Sequence, residues 1–153
     1  MASDLEKRIQ RLEAIEEIKA MKAHYLHSLD KRNIEEAIST FSDTAIADFG
    51  HTGAAKSAVV YHGKAEIMNL FKNMGERATT MAHLPHSAEI EVTSDTTAKG
   101  IWGLQVMIHQ VPTDMGMWMV GYYHDEYVKE KGKWRHKNLL AAWDFIVPYK
   151  QGW

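Results

Sequence analysis

Tyr25, Asp30 and His86 carry the kinds of side chain that an acid–base site needs. A carboxylate that hydrogen-bonds one imidazole nitrogen fixes the tautomer of the ring and raises the basicity of the other nitrogen. We therefore predict that Asp30 orients His86 as a general base. The Tyr25 hydroxyl would then stabilise or protonate a leaving oxygen. This set of groups needs neither a metal nor an organic cofactor.

The spacing of these residues is also compatible with ordinary structural roles. Tyr25 lies on the apolar stripe of a predicted helix, and Asp30 follows five residues later, which is about 140° around a helix. Asp30 is therefore expected at the end of the helix, where the chain can turn inward. A tyrosine on an apolar face, an aspartate before Lys31 and a histidine after Pro85 can each be purely structural.

The elements that must position these side chains begin with a long helix over residues 4–30. Ser3 and Glu6 form a capping box at its start. Its apolar residues recur at helical spacing: Leu5, Ile9, Leu12, Ile15, Ile18, Met21, Tyr25 and Leu29. A second helix is predicted to begin at residues 33–36 and to include Phe41. A third is predicted over residues 64–74.

The second half of the chain has the alternation of β-strands. Strands are predicted at residues 44–49, 59–61, 90–92, 97–110, 117–130 and 134–147, with Pro148 ending the last one. Residues 50–57 are predicted to be a loop, and residues 112–116 a break. Helices followed by an antiparallel meander indicate an α+β fold in which a curved sheet wraps around helices. We expect one domain over residues 1–153.

Composition excludes several classes of function. The 153 residues are 45% hydrophobic and 25% charged, with a net charge of -2, so nucleic acid and membrane partners are not expected. The absence of cysteine excludes disulfides and thiolate nucleophiles and fits a cytoplasmic protein. His83 and His86 form a His-x-x-His pair with no indicated third ligand, so we predict no metal site.

Aromatic residues and methionines are numerous between Trp102 and Trp143. Such side chains either form a soft core or line a pocket for a bulky, flat, apolar ligand. Alternation allows only some of them to face inward. The candidate pocket walls are Phe49, Phe71, Trp102, Met107, Trp118, Met119, Tyr122 and Trp143. The loop at 50–57 and the turn at 112–116 are candidate lids.

The order of elements, together with four short motifs, resembles the SnoaL-like branch of the nuclear-transport-factor-2-like superfamily over nearly the whole chain. The motifs are Ile18-Lys19 with Tyr25 and Asp30, Phe41-Ser42-Asp43-Thr44-Ala45, Gly63-Lys64-Ala65-Glu66-Ile67, and Gly132-Lys133-Trp134. The resemblance implies a cone-shaped α+β fold. It does not fix the reaction, because this fold supports isomerases, dehydratases, hydrolases, cyclases and binding proteins.

Within this superfamily, the stretches 15–25, 86–90 and 96–100 are similar to those of the bile-acid 7-alpha-dehydratases. That resemblance implies catalytic roles for Tyr25, Asp30 and His86. The scytalone dehydratases resemble the chain more loosely, at Asp30 and His86. The chain departs from both groups: Val106 stands where the bile-acid enzymes have an acidic residue. Trp143 or Asp144 replaces their arginine, and Trp102 replaces the second histidine of scytalone dehydratases.

The resemblance implies a cofactor-independent lyase that eliminates water from a hydroxylated steroid-like or aromatic compound. Because of Val106, an aldol-type lyase that releases formaldehyde from an aromatic propanediol is an alternative. An isomerase or cyclase, or a non-catalytic binding module or accessory subunit, also fits the family. The resemblance further implies a homo-oligomer, with a trimer favoured over a dimer.

Overall fold

A computed structural model describes residues 3–52, 55–56, 59–111 and 114–149. The predicted first helix is confirmed as α1, Asp4–Asp30, and both hydrogen bonds of the Ser3–Glu6 capping box form. At its end Arg32 adopts a φ of 58°, a left-handed conformation that reverses the chain. The helix therefore ends at Asp30, as predicted.

Two further helices follow, α2 over Ile34–Ser39 and α3 over Gly63–Arg77. The predicted extension of α2 to Phe41 is wrong. The carbonyl of Thr40 accepts a hydrogen bond from the backbone N–H of His136 at 2.8 Å, so the chain joins the sheet at once. No helix in the described ranges is long and apolar enough to cross a membrane.

Seven strands form one mixed sheet within the described residues. They are β1 Phe41–Thr52, β2 Ala55–Lys56, β3 Val60–His62, β4 Ala78–Val92, β5 Thr97–Gln110, β6 Met115–Glu130 and β7 Lys133–Tyr149. Their order is β2-β1-β7-β6-β5-β4, with β3 also on β1. The β1–β7 pair is parallel, and all other pairs are antiparallel. The predicted α+β fold is confirmed.

Three strand predictions differ from the structure. β4 begins at Ala78 rather than near residue 90, and it contains Pro85 because it is an edge strand, where a missing N–H is tolerated. β7 continues through Pro148, since beyond Trp143 only β6 pairs with it among the described residues. The predicted loop at 50–57 contains the end of β1 and all of β2. Residues 53–54 and 57–58 of this loop, and 112–113 of the predicted break, lie outside the described residues.

The sheet has an inner face that packs against α1 and an outer face. Directly paired residues share a face, and neighbours along a strand alternate between faces. One ladder on the inner face joins Trp102, Tyr123 and Ala141, all buried. The core contains these residues together with the buried side of α1. The site described below lies on this inner face.

A β-bulge follows Trp143 and directs Phe145 to the outer face. The register between β6 and β7 shifts between Val120 and Gly121, so that Gly121 is paired with Trp143 and Asp144 is the extra residue. A Cβ atom on Gly121 would lie 2.1 Å from the carbonyl oxygen of Ala142 and 2.8 Å from the Cα of Trp143. Only glycine allows this close approach.

Gly121→Ala is therefore expected to lower the free energy of unfolding by about 1–3 kcal/mol, the usual cost of overpacking. Gly75→Ala is the matched control, because no atom lies within 4 Å of a Cβ at that helical position. That change should stabilise the protein by about 0.5–1 kcal/mol. Urea denaturation measures both variants. Equal stability of Gly121→Ala and the wild type would contradict the proposed constraint.

Candidate functional site

Asp30 and His83 form a hydrogen-bonded pair between the end of α1 and the edge strand β4. The Asp30 Oδ1 atom lies 2.6 Å from His83 Nδ1, and Oδ2 accepts the backbone N–H of His83 at 3.1 Å. The His83 side chain is 6% exposed and that of Asp30 is 22% exposed. A carboxylate can only accept, so Nδ1 carries the hydrogen and Nε2 is the basic nitrogen of the neutral ring.

The predicted hydrogen bond between Asp30 and His86 is wrong. Residues three apart on a strand point to opposite faces. His83 is paired with Val106 on the inner face, whereas His86 is paired with Gly103 on the outer face. The His86 ring covers Gly103, where a Cβ would lie 2.4 Å from its Cε1, and it is exposed. His86 was predicted to precede the strand, so alternation along β4 could not be used to assign its face.

Tyr25 lies deep inside the fold rather than at its surface. Its ring packs edge-on against Phe41, with centroids 5.4 Å apart, and against His136 at 5.1 Å. Its hydroxyl makes no hydrogen bond of ordinary geometry within the described residues. Burial raises the pKa of Tyr25 well above its ordinary value, and the nearby Tyr123 and Asp125 raise it further. Tyr25 is therefore a protonated phenol at neutral pH.

Tyr123 is a second buried phenol that the sequence analysis missed. Burial raises its pKa, as do Asp125 and Asp30, whereas a contact with Tyr25 lowers it. The Tyr123 side chain lies on the same inner face of the sheet as His83. The signal for Tyr123 was its position on β6, directly opposite Trp102 on β5. The candidate site thus contains a carboxylate, an imidazole and two phenols.

A buried ion pair was also missed. Lys22 Nζ lies 2.7 Å from Asp125 Oδ2, and both side chains are fully buried. The same oxygen accepts the hydroxyl of Tyr127 at 2.7 Å, and that hydroxyl accepts the indole N–H of Trp102 at 2.8 Å. Burial lowers the pKa of Lys22, and Asp125 opposes this shift. The signal was Lys22 itself, which lies between Ile18 and Leu26 on the buried side of α1.

His136 packs against this ion pair as a neutral ring. Its Nδ1 donates to the carbonyl of Thr40 at 3.3 Å, and its Nε2 lies 3.8 Å from Asp125 Oδ2. Burial lowers its pKa well below the ordinary value, the charge of Lys22 lowers it further, and the bond to Thr40 opposes both. The sequence favours a surface position for His136 on its strand over one facing a pocket, and the structure buries it completely instead.

The structure divides the predicted pocket walls between the two faces. Phe49, Trp102, Met119 and Trp143 belong to the inner face or pack against the core there. The prediction is wrong for Met107 and Trp118, which are paired on the outer face, and for Tyr122, which is paired with Gly103 on that face. Trp118 is 43% exposed and Tyr122 is 44% exposed. Alternation explains the division.

An open groove of about 610 Å³ lies on the outer face, between Glu89, Lys99, His124 and Leu140. The side chains of these residues lie on the opposite face of the sheet from Tyr123. The sheet therefore separates the groove from the Asp30–His83 pair. Among the described residues, no cluster of three or more His, Asp or Glu is arranged to hold a metal ion.

The neutral state of His136 predicts a loss of stability in acid. The unfolded chain binds a proton there near the ordinary histidine pKa of about 6.5, and the native state does not. This contribution is present above that pH and is lost as the pH falls. Between about pH 7 and pH 5, the loss of this contribution lowers the free energy of unfolding by up to about 2 kcal/mol.

Urea denaturation at the two pH values tests this expectation. The loss of stability should be smaller in His136→Leu than in the wild type. His124→Leu, at an exposed position on β6, should retain the loss of the wild type. An identical loss in His136→Leu and the wild type would show that this ring does not titrate on unfolding.

Comparison with known proteins places this geometry in a family. Residues 10–139 match the SnoaL-like domain. A scytalone dehydratase-like protein from Novosphingobium aromaticivorans superposes with a TM-score of 0.83 at 17% identity, over 95% of this chain and 93% of its own. The hexachlorocyclohexane dehydrochlorinase LinA-type3 from Novosphingobium barchaimii gives 0.79 at 20% identity, over 93% and 94%. ActVI-ORFA from Streptomyces coelicolor gives 0.69 at 15% identity, over 86% and 97%. These likenesses show the fold, and the family match shows that the chain belongs to the SnoaL-like domain family.

Proposed function

We propose that this protein is a cofactor-independent lyase that eliminates water from a bulky hydroxylated substrate, steroid-like or aromatic. The observation that carries the proposal is the 2.6 Å hydrogen bond between Asp30 and His83 on the inner face of the sheet. This hydrogen bond alone orients His83 Nε2 as a candidate base. Two of the structural relatives are described as a dehydratase and a dehydrochlorinase, which are names for elimination reactions.

In the proposed reaction, His83 Nε2 removes a proton from a carbon next to the one that bears the hydroxyl group. The carbon–oxygen bond then breaks, a carbon–carbon double bond forms, and the leaving oxygen takes the proton from His83 and departs as water, which restores the site. Tyr25 and Tyr123 suit a hydrogen-bonding role toward the leaving oxygen, because their raised pKa values keep them protonated.

The side chains on the inner face are mainly apolar, which favours an apolar substrate. Phe49 and Phe71 contact each other with ring centroids 6.0 Å apart, and Met119 and Trp143 pack against the same core. Apolar walls around a few convergent polar groups are typical of small-molecule sites. Such walls also exclude water, which strengthens the electrostatic effect of Asp30 on His83.

An aldol-type lyase that releases formaldehyde is the second candidate. Val106 is paired directly with His83 on the inner face, so an apolar side chain occupies a position beside the base. In that reaction His83 removes a hydroxyl proton and a carbon–carbon bond breaks. A carbonyl forms on the departing one-carbon fragment, and the proton on His83 passes to the remaining carbon.

Mass spectrometry of hydroxysteroids and aromatic diols incubated with the purified protein distinguishes these reactions. Loss of the mass of water from one substrate class is expected. Loss of the mass of formaldehyde would select the aldol-type reaction, and a rearranged product of unchanged mass would select an isomerase or cyclase. Stoichiometric binding of the panel without any product would favour a non-catalytic binding module.

His83→Ala is expected to lower kcat by about 10²–10⁴-fold, the usual contribution of a positioned base. His86→Ala is the matched control three residues away. It should leave kcat within about twofold of the wild type, because His86 is exposed on the outer face. Steady-state kinetics on the substrate found above measures both. Full activity of His83→Ala would exclude this residue as the base.

We also propose that the outer face forms the contact of a homo-oligomer, with a trimer favoured. Trp118, Tyr122 and Phe145 are 43%, 44% and 48% exposed there. Exposed aromatic residues grouped on one face are typical of protein–protein contacts.

Trp118→Glu/Tyr122→Glu should therefore convert the oligomer to a monomer. Leu12→Glu is the matched control, since Leu12 is 64% exposed on α1, away from the sheet face. Light scattering coupled to size-exclusion chromatography gives the mass of each variant. A monomeric wild type would contradict the proposed assembly.

A further inference from the structure

The buried ammonium group of Lys22 lies against the ring of Tyr123. Its Nζ is 3.6 Å from the centroid of that ring, a close cation–π contact. The same atom is 2.7 Å from Asp125 Oδ2, and both charged side chains are fully buried. Nothing in the proposed reaction uses this pair directly.

Further buried contacts hold the ion pair in place. Asp125 accepts the hydroxyl of Tyr127, and Tyr127 accepts the indole N–H of Trp102. The cation that touches Tyr123 is thus the last member of a hydrogen-bonded chain that begins on β5, crosses β6 and ends on α1. Every member of the chain is at most 7% exposed. Such a chain fixes the position of the ammonium group more closely than a solvated lysine allows.

A buried ion pair is an unusual means of packing a helix against a sheet. Apolar residues of similar volume generally stabilise a fold as well or better, because they avoid the desolvation of two charges. The neighbours of Lys22 on the buried side of α1, Ile18 and Leu26, are apolar. The charge at position 22 therefore calls for a role other than stability.

Tyr123 connects the ion pair to the candidate site. Its ring rests on Lys22, whose Nζ also lies 5.3 Å from the centroid of the Tyr25 ring, and its side chain lies on the same inner face of the sheet as His83. The ring has two rotatable bonds, and packing against a fixed cation restricts both. A hydroxyl held in this way is an oriented donor toward a ligand oxygen beside His83.

We propose that Lys22 is a positioning residue that holds the Tyr123 hydroxyl as a hydrogen-bond donor to an oxygen of the bound ligand. This inference deepens the proposed function and rests on it for its catalytic consequence. The hydrogen bond from Tyr123 to a ligand does not itself depend on turnover, so it can be measured separately.

The test removes both charges together, because either single change leaves an unpaired buried charge and strongly destabilises the fold. Lys22→Met/Asp125→Asn is the principal variant, since the Asn oxygen can still accept the Tyr127 hydroxyl. Lys22→Gln/Asp125→Asn is the second variant in case the first does not fold. Lys19→Met/Glu16→Gln is the matched control, an ion pair on the same helix whose side chains are 46% and 71% exposed.

The probe is 4-nitrophenol, whose visible absorbance band shifts when a donor contacts its phenolate oxygen. The wild type should bind it with a shifted band. Tyr123→Phe should abolish the shift and weaken binding roughly tenfold, as expected for loss of one hydrogen bond. The Lys22/Asp125 variants should reproduce this loss, and the Lys19/Glu16 control should match the wild type. Adding Tyr123→Phe to Lys22→Met/Asp125→Asn should cause no further loss.

If a folded Lys22/Asp125 variant binds 4-nitrophenol with the affinity and the shifted absorbance band of the wild type, the inference is overturned. The ion pair would then only pack α1 against the sheet. Absence of binding or of a band shift in the wild type would overturn the assignment of Tyr123 as the donor, and the inference with it. Failure of the proposed lyase is a separate result, because it appears as lack of turnover or as an active His83→Ala variant. Where turnover is found, the Lys22/Asp125 variants should lower kcat more than they raise KM, because charge that develops on the leaving oxygen strengthens the hydrogen bond in the transition state.

Discussion

The ion pair between Lys22 and Asp125 joins α1 to the inner face of the sheet, and both side chains are fully buried. A long helix that carries a lysine on its buried side can pack there only if the opposite charge meets it. Once the two charges are paired, the helix is fixed in both register and rotation. Tyr25, one turn later, then points toward Phe41 and His136, and Asp30, at the helix end, reaches β4.

The polar side chains that α1 directs toward the sheet are fully buried in the middle of the helix and partly exposed at its end. Around Lys22 the polar groups are fully buried, and they satisfy one another except for a few atoms that include the Tyr25 hydroxyl and His136 Nε2. At Asp30 the side chain is 22% exposed, and its partner His83 belongs to an edge strand. The base that we propose, His83, lies at this less buried end of the helix. The Lys22–Asp125 pair holds the buried part of the helix rigidly, because opposite charges attract each other strongly in a medium of low polarity.

The protonation states that burial imposes are consistent with acid–base chemistry without a cofactor. Two phenols with raised pKa values remain donors, and a neutral His136 places no positive charge beside Lys22. The apolar side chains of the same face fit the bulky apolar substrate that we propose. SnoaL-like domains support several reactions on one framework, so the choice among them depends on these few polar side chains and not on the fold.

The sequence by itself determined the fold class and most of the helices and strands, because helical and strand periodicities are local properties of the chain. It gave α1 from its capping box to Asp30, and β5 over residues 97–110, with the observed ends. It also identified Asp30 as a residue at a helix end. What it did not determine was which histidine Asp30 meets, since the choice between His83 and His86 depends on where β4 begins. Only the tertiary structure placed Trp118 and Tyr122 outside and Tyr123 inside, and only it brought Lys22 to Asp125. The physical reason is that the face of a strand and the partner of a buried charge are set by pairing between residues far apart in the chain, and a single sequence carries no record of that pairing.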